Sequence, residues 1–429
     1  MAYTRYPGLL IRRGEDNKGF HNEEEYIIRL HSLFNSQPLG TKTAIKVIDS
    51  HRAYPYYDKG HDIIVFDSHF IDILKIVTAS LYSGRSEYMD ALVYVCAADY
   101  FLCIDEIHIA FNYAERFAHE KESIANLITS TANRTKNILN RQLLFVLGHE
   151  QGHALLKYDK NDERFRPFRH HFDTEYTHVS DASKAILSID LSPIKDDLDK
   201  LDRTAYDETF DYSEVDKSAL IKHSLQLAKV VQKGISLLSV VETDAISREE
   251  AIFYACDYYL KGGGIKLLNR DSYENDCIID GYTLQRLISH RFGNEDTLMQ
   301  MKDTVFAYYS CLLTMDIIDC VNACIMNIRT EGYMAEDLVW NRLRLEREMF
   351  NNVILQYAFR KPSGFVIAQD VFEYSKKLVD QYSILYARFC DRIFAVEHPT
   401  ENTPYHPYGS AEYETLYRNI HTMLKINGS

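Results

Sequence analysis

The chain has 429 residues, 46% of them hydrophobic, which is enough for one large domain or two ordinary ones. A formal net charge of −14 argues against a nucleic-acid binder or a binder of anionic membranes, since both need a basic surface. The start, Met1 to Pro7, lacks the charged-then-apolar order of a signal peptide. The longest apolar run, Ala91 to Ile104, is interrupted by Asp99 and is too short to span a bilayer. A soluble, cytoplasmic protein is expected. The eight cysteines agree, because none forms a C-x-x-C pair and most sit in apolar, helix-like stretches.

Taken in chain order, residues 1–20 are polar and punctuated by glycine, and Glu23 to Phe34 reads as a short amphipathic helix. Thr43 to Ile48 alternates and is β-branched, which predicts a strand. Arg52 to Tyr57 is a second extended segment, with Pro55 suited to an edge. Asp58-Lys59-Gly60 is turn chemistry, and His61 to Phe66 is a third strand. Asp67-Ser68 then caps a helix carrying Phe70, Ile71, Ile73, Leu74 and Val77.

From Ser86 the reading is helical: one helix through Tyr94, Phe101 and Ile104, then Ile107 to Ile128, then Asn137 to Lys157. Residues 159–217 are acidic and short of apolar anchors, so a surface insertion or lid is expected there. Helical periodicity returns at Leu220 to Val241. Ser247-Arg248-Glu249-Glu250 is a capping box opening a helix that Gly262-Gly263-Gly264 ends. Further amphipathic helices are expected near 283–290, 297–329, 334–359 and 367–396, followed by a turn-rich tail. The fold class is mainly α with a small β-sheet, an α+β arrangement.

The chemistry concentrates at His149-Glu150-Gln151-Gly152-His153, which reads HExxH. On a helix, residues i and i+4 share a face, so both imidazoles can hold one Zn²⁺. Glu150 then stands where a general base toward zinc-activated water is needed. The flanking apolar runs, Leu143 to Leu147 and Ala154 to Leu156, make this a buried helix, where a histidine pair needs a partner. The competing reading is a pair of hydrogen-bonded core histidines beside a surface glutamate.

Beyond the motif, the order of parts resembles the gluzincin metallopeptidases, nearest in look to intracellular peptidases of phage-exclusion and mobile-element systems. That family has an edge strand, a strand and helix, the HExxH helix, and a later helix with Glu-x-x-x-Asp. Here Arg52-Ala53-Tyr54-Pro55 is similar to the edge strand, and Asp62 to Phe66 with Phe70 to Leu74 to the strand–helix pair. Glu249 to Asp257 is similar to the third-ligand helix, but the zinc-binding position four residues before Asp257 is Phe253. Two candidates for the third ligand stay open: Glu250, seven residues before Asp257, and Asp257 itself. Glu250 also has a sufficient explanation as the capping-box residue.

The resemblance implies a zincin-like domain over 1–270, with the insertion near 159–217, and a helical C-terminal domain over 271–429. It implies a zinc endopeptidase rather than an exopeptidase, acting on an intracellular protein or peptide, with a regulatory protein as a possible partner. His170, His171 and Asp173, and the tyrosines Tyr254 and Tyr258, are lesser candidates for oxyanion contacts. The alternative function is a catalytically degenerate zincin-like binding or regulatory module, for which Phe253 is the motive.

Overall fold

Three short strands open the computed structural model, which describes residues 43–48, 55–85, 88–201, 217–241, 243–260, 270–289, 296–327, 350–351, 353–355, 364–393, 404 and 406–426. The strands are β1 (Ala44–Ile48), β2 (Tyr56–Asp58) and β3 (Ile63–Asp67). β3 is central, parallel to β1 and antiparallel to β2. Four of its five residues are buried, as a strand flanked on both sides should be. β2 lies at an edge, with Pro55 just outside it. Residues 49–54, which include most of the expected edge segment, and the expected helix 23–34 lie outside the described residues.

The described helices confirm a mainly α protein with a small sheet. They are α1 (Ser68–Ser83), α2 (Met89–Cys103), α3 (Ile107–Tyr158), α4 (Arg166–Leu187), α5 (Lys195–Leu198), α6 (Lys217–Leu237), α7 (Arg248–Leu260), α8 (Arg270–Ser289), α9 (Thr297–Asn327), α10 (Gly364–Ile393) and α11 (Ala411–Leu424). Asp67 N-caps α1 by accepting from the His69 amide at 3.1 Å. The expected cap at Ser86 is outside the described residues. The segments 107–128 and 137–157 are one helix of 52 residues. It is separated from α2 by a sharp corner in which Asp105 takes a left-handed φ of 62°.

Contacts divide the chain into two compact units, and neither is one continuous stretch. The first draws on Met1–Arg166, Ile279–Arg329 and Val353–Ser429, the second on Pro167–Ile278 and Thr330–Asn352. The dividing point after Ile278 falls inside the continuous helix α8, so α8 runs through it.

In the first unit, α3 packs against α1, α2, α9, α11 and the sheet. Its buried face is pinned to α1 and α9 by Gln142, whose side-chain amide donates to the Thr78 and Ser310 hydroxyls at 2.7 and 2.5 Å. One turn on, Phe145 meets the ring of Tyr308 edge-on, with centroids 5.3 Å apart. The C-terminal end of α3 is tied to the β2–β3 turn. Asp62 accepts hydrogen bonds from the hydroxyls of Tyr158 and Tyr57, both at 2.6 Å, and from Thr43 at 3.2 Å. These bonds, that from Tyr158 above all, hold the Asp62 carboxyl below its usual range. Lys157 adds a bond to the Lys59 carbonyl at 2.6 Å. The helix α11 replaces the expected turn-rich tail: Ser410 caps it, and Tyr413, Ile420 and Leu424 recur on one buried face.

The second unit has its own apolar core. Ile186, Ile189, Ile194, Leu198 and Leu201 of the acidic stretch pack with Leu227, Val230, Val231, Leu238, Ile252, Cys256 and others. The described part of 159–217 is therefore helical and anchored, not a polar lid. Its apolar positions, such as Phe168, Phe172, Val179, Ala182 and Ile186, repeat at helical spacing between charges. No helix among the described residues is long and apolar enough to cross a membrane.

Candidate metal centre

The HExxH motif lies in the last third of α3, where the helix is apolar on nearly every side. His149 and Glu150 are 7% and 8% exposed, and His153 is half-buried. As the i, i+4 spacing predicts, the two imidazoles meet on one face, with His149 Nε2 and His153 Nε2 3.0 Å apart. Two ligand atoms at about 2 Å from a shared tetrahedral zinc stand roughly 3.3 Å from each other. The 3.0 Å separation is that of a hydrogen bond between the rings, as the competing reading expects, and it also lies close to the spacing a shared metal would impose.

The other half of the centre comes from α8. Asp280 is fully buried, and its Oδ1 lies 2.6 Å from His149 Nδ1. A carboxylate there accepts Nδ1–H and so favours the tautomer in which Nε2, the nitrogen that meets His153, carries the lone pair. One turn earlier on the same helix, Asp276 completes a cluster with His149 and His153 in which one ligand atom from each lies within 4.8 Å of the others.

The residues present fit a divalent metal. Two imidazole nitrogens and one carboxylate are the donor set of a zinc site that keeps an open position. A second observation concerns charge. Oδ2 of Asp280 is buried and has no hydrogen-bond partner among the described residues. A buried carboxylate needs positive charge or hydrogen-bond donors around it, and a cation on the far nitrogen of the His149 ring would add such charge. Cys311 of α9 lies on this side too, and burial, aided by the charge of Asp280, pushes its thiol well above its usual range. It is thus held as a neutral thiol.

The two other proposed ligands stand on α7. Glu250 closes the capping box: its Oε2 accepts from the Ser247 hydroxyl at 2.7 Å and the Ser247 amide at 3.1 Å, while its own amide donates to Ser247 Oγ at 3.2 Å. Phe253, at the position the family pattern reserves for a ligand, is exposed. Asp257 is on α7, and its side chain, like that of Tyr258, is outside the described residues. His170, His171 and Asp173 lie on α4 and are not in the cluster.

Sequence reasoning passed over Asp276 and Asp280 because the helix there was expected to start near residue 283. The signal was present. In α8 the acids are spaced Asp-x-x-x-Asp, with Cys277, Ile278 and Ile279 buried between them. An acid inside such a run needs a hydrogen-bond donor or a cation.

The chain matches no family model, no curated protein and no solved structure.

Proposed function

We propose that the protein is a zinc-dependent peptidase that hydrolyses peptide bonds in a protein substrate, with Glu150 as general base. The reading rests on one observation above the others: His149 is held by Asp280 on one nitrogen, meets His153 with the other and clusters with His153 and Asp276. In this reading His149, His153 and Asp276 hold the metal, and Asp280 orients His149. Asp276-x-x-x-Asp280 then takes the place of the gluzincin Glu-x-x-x-Asp, with a ligand one methylene shorter. Glu250 is left to its cap and Asp257 to the second unit.

Zinc in such a set supplies an activated water nucleophile at neutral pH and polarises a carbonyl. In this reading Glu150, next to His149 in the chain and almost free of solvent, would act as the general base toward water at the metal and as the proton donor to the leaving amine. The edge strand β2 is antiparallel in its sheet and tied through Asp62 and Tyr158 to the end of α3. An extended peptide adding to that edge is presented to the motif helix without its sequence being read, which suits an endopeptidase. The four described free cysteines, all buried, favour a reducing, cytoplasmic setting.

Two measurements test the reading. One zinc per chain is expected, lost in His149→Ala. Glu150→Gln is expected to keep the zinc and to lose about 10²- to 10⁴-fold in cleavage of a protein substrate. Full activity in Glu150→Gln would overturn the mechanism. Zinc binding without cleavage in the native chain would favour the degenerate binding module instead.

A further inference from the structure

The helices α3 and α8 meet at Gly152, inside the motif. A Cβ built on Gly152 falls 2.4 Å from Ile279 Cγ2, 2.9 Å from Cγ1 and 3.2 Å from Cβ. These atoms belong to a β-branched side chain whose rotamer is fixed within its helix, so they cannot swing aside. Any residue but glycine at 152 therefore forces the two helix backbones apart. Ile279 is fully buried and sits immediately before Asp280 and three residues after Asp276. Gly152 sits immediately before His153. The approach of Gly152 to Ile279 thus involves residues adjacent to His153 and Asp280.

We propose that Gly152 is a positioning residue: its bare α-carbon seats Ile279 against α3 and so brings Asp276 and Asp280, on either side of Ile279, to the histidines. The proposal rests on the metal-centre reading above and adds what sets the carboxylate reach. An aspartate is the shortest carboxylate ligand, and it closes the site only if its helix comes this near. Glycine also weakens a helix relative to alanine, so a role in close approach accounts for its presence in mid-helix. Had the carboxylate been a glutamate, the extra methylene would have tolerated a wider spacing.

The test is zinc affinity, measured by chelator competition on the full-length chain, with circular dichroism as the control for folding. Gly152→Ala is expected to weaken zinc binding by about tenfold or more, the scale seen when a ligand's support is lost. Ile279→Ala removes Cγ1 and Cγ2, the two nearest atoms. In that background Gly152→Ala should change affinity by less than about threefold, because only the mild 3.2 Å contact with Cβ remains. Gly152→Ala/Asp276→Glu should bind zinc more tightly than Gly152→Ala alone, since the longer acid spans the opened gap. A merely structural role for Gly152 would not produce that rescue.

Unchanged affinity in a folded Gly152→Ala chain would overturn the proposal. So would an undiminished loss in the Ile279→Ala background, a comparison that remains decisive if the single variant does not fold. If the native chain binds no zinc, or binds it equally well in His149→Ala, the metal-centre reading itself has failed, and that outcome is distinct from either of these.

Discussion

His149 Nδ1 and Asp280 Oδ1 stand 2.6 Å apart, although 131 residues separate them in the chain. This bond joins the helix carrying HExxH to the helix carrying the two acids, and it selects which imidazole nitrogen is left for a metal. Asp280→Asn keeps the shape but removes the charge and replaces one acceptor oxygen with an NH2 donor. The expected result is a zinc dissociation constant raised about 10- to 100-fold with the fold intact. Equal affinity would show that His149 is oriented by something else.

The Ser247–Glu250 pair gives the opposite expectation. Ser247→Ala removes a helix cap and should cost about 1 kcal/mol of stability, read as a lower denaturant midpoint at unchanged slope. Glu250→Ala should leave zinc at one per chain. Loss of the metal in Glu250→Ala would return Glu250 to the ligand set.

His69 and Asp99 form a buried ion pair with Nε2 and Oδ2 2.8 Å apart. Burial alone would lower the histidine's pKa, but the Asp99 carboxylate, with Asp67 and Asp72 behind it, outweighs burial and raises it to about 9. A raised folded-state pKa means stability that is complete below the unfolded value of about 6.5 and lost as pH rises through about 9. The difference in melting temperature between the native chain and Asp99→Asn should be largest near pH 6 and should shrink by pH 10. Its free-energy equivalent at the acidic end is on the order of 3 kcal/mol. A difference that does not change with pH would show that the pair is not ionised as described.

Gln142 is buried between α1 and α9, and both its amide bonds cross between helices. Gln142→Ala loses those bonds and leaves a cavity, so a destabilisation on the order of 3 kcal/mol is expected in chemical denaturation. Because Gln142 is two turns before His149, zinc affinity measured below the unfolding transition should change little. A large loss of affinity with little loss of stability would make Gln142 part of the centre's support.

Much of the first unit was legible in the chain because its signals are local. Alternation from Thr43 to Ile48, the apolar run Ile63 to Phe66 and a cap at Asp67 suffice for β1, β3 and α1. The same holds for the histidines: a four-residue spacing on a helix fixes a shared face whatever surrounds it. The acidic stretch was less legible. Its charges outnumber its apolar residues, and only their helical spacing, seen at Phe168, Phe172 and Val179, reveals a buried face.

The sequence by itself determined the fold class, the buried motif helix and the pairing of His149 with His153, since each follows from periodicity over a few residues. Only the tertiary structure decided which acids stand beside them. Glu250 with Asp257 and Asp276 with Asp280 are both pairs of acids on a helix, and spacing along the chain cannot rank them. The choice depends on which helix can come close enough to α3. In the reading proposed above, that choice rests on a glycine at 152 meeting an isoleucine at 279, residues 127 positions apart.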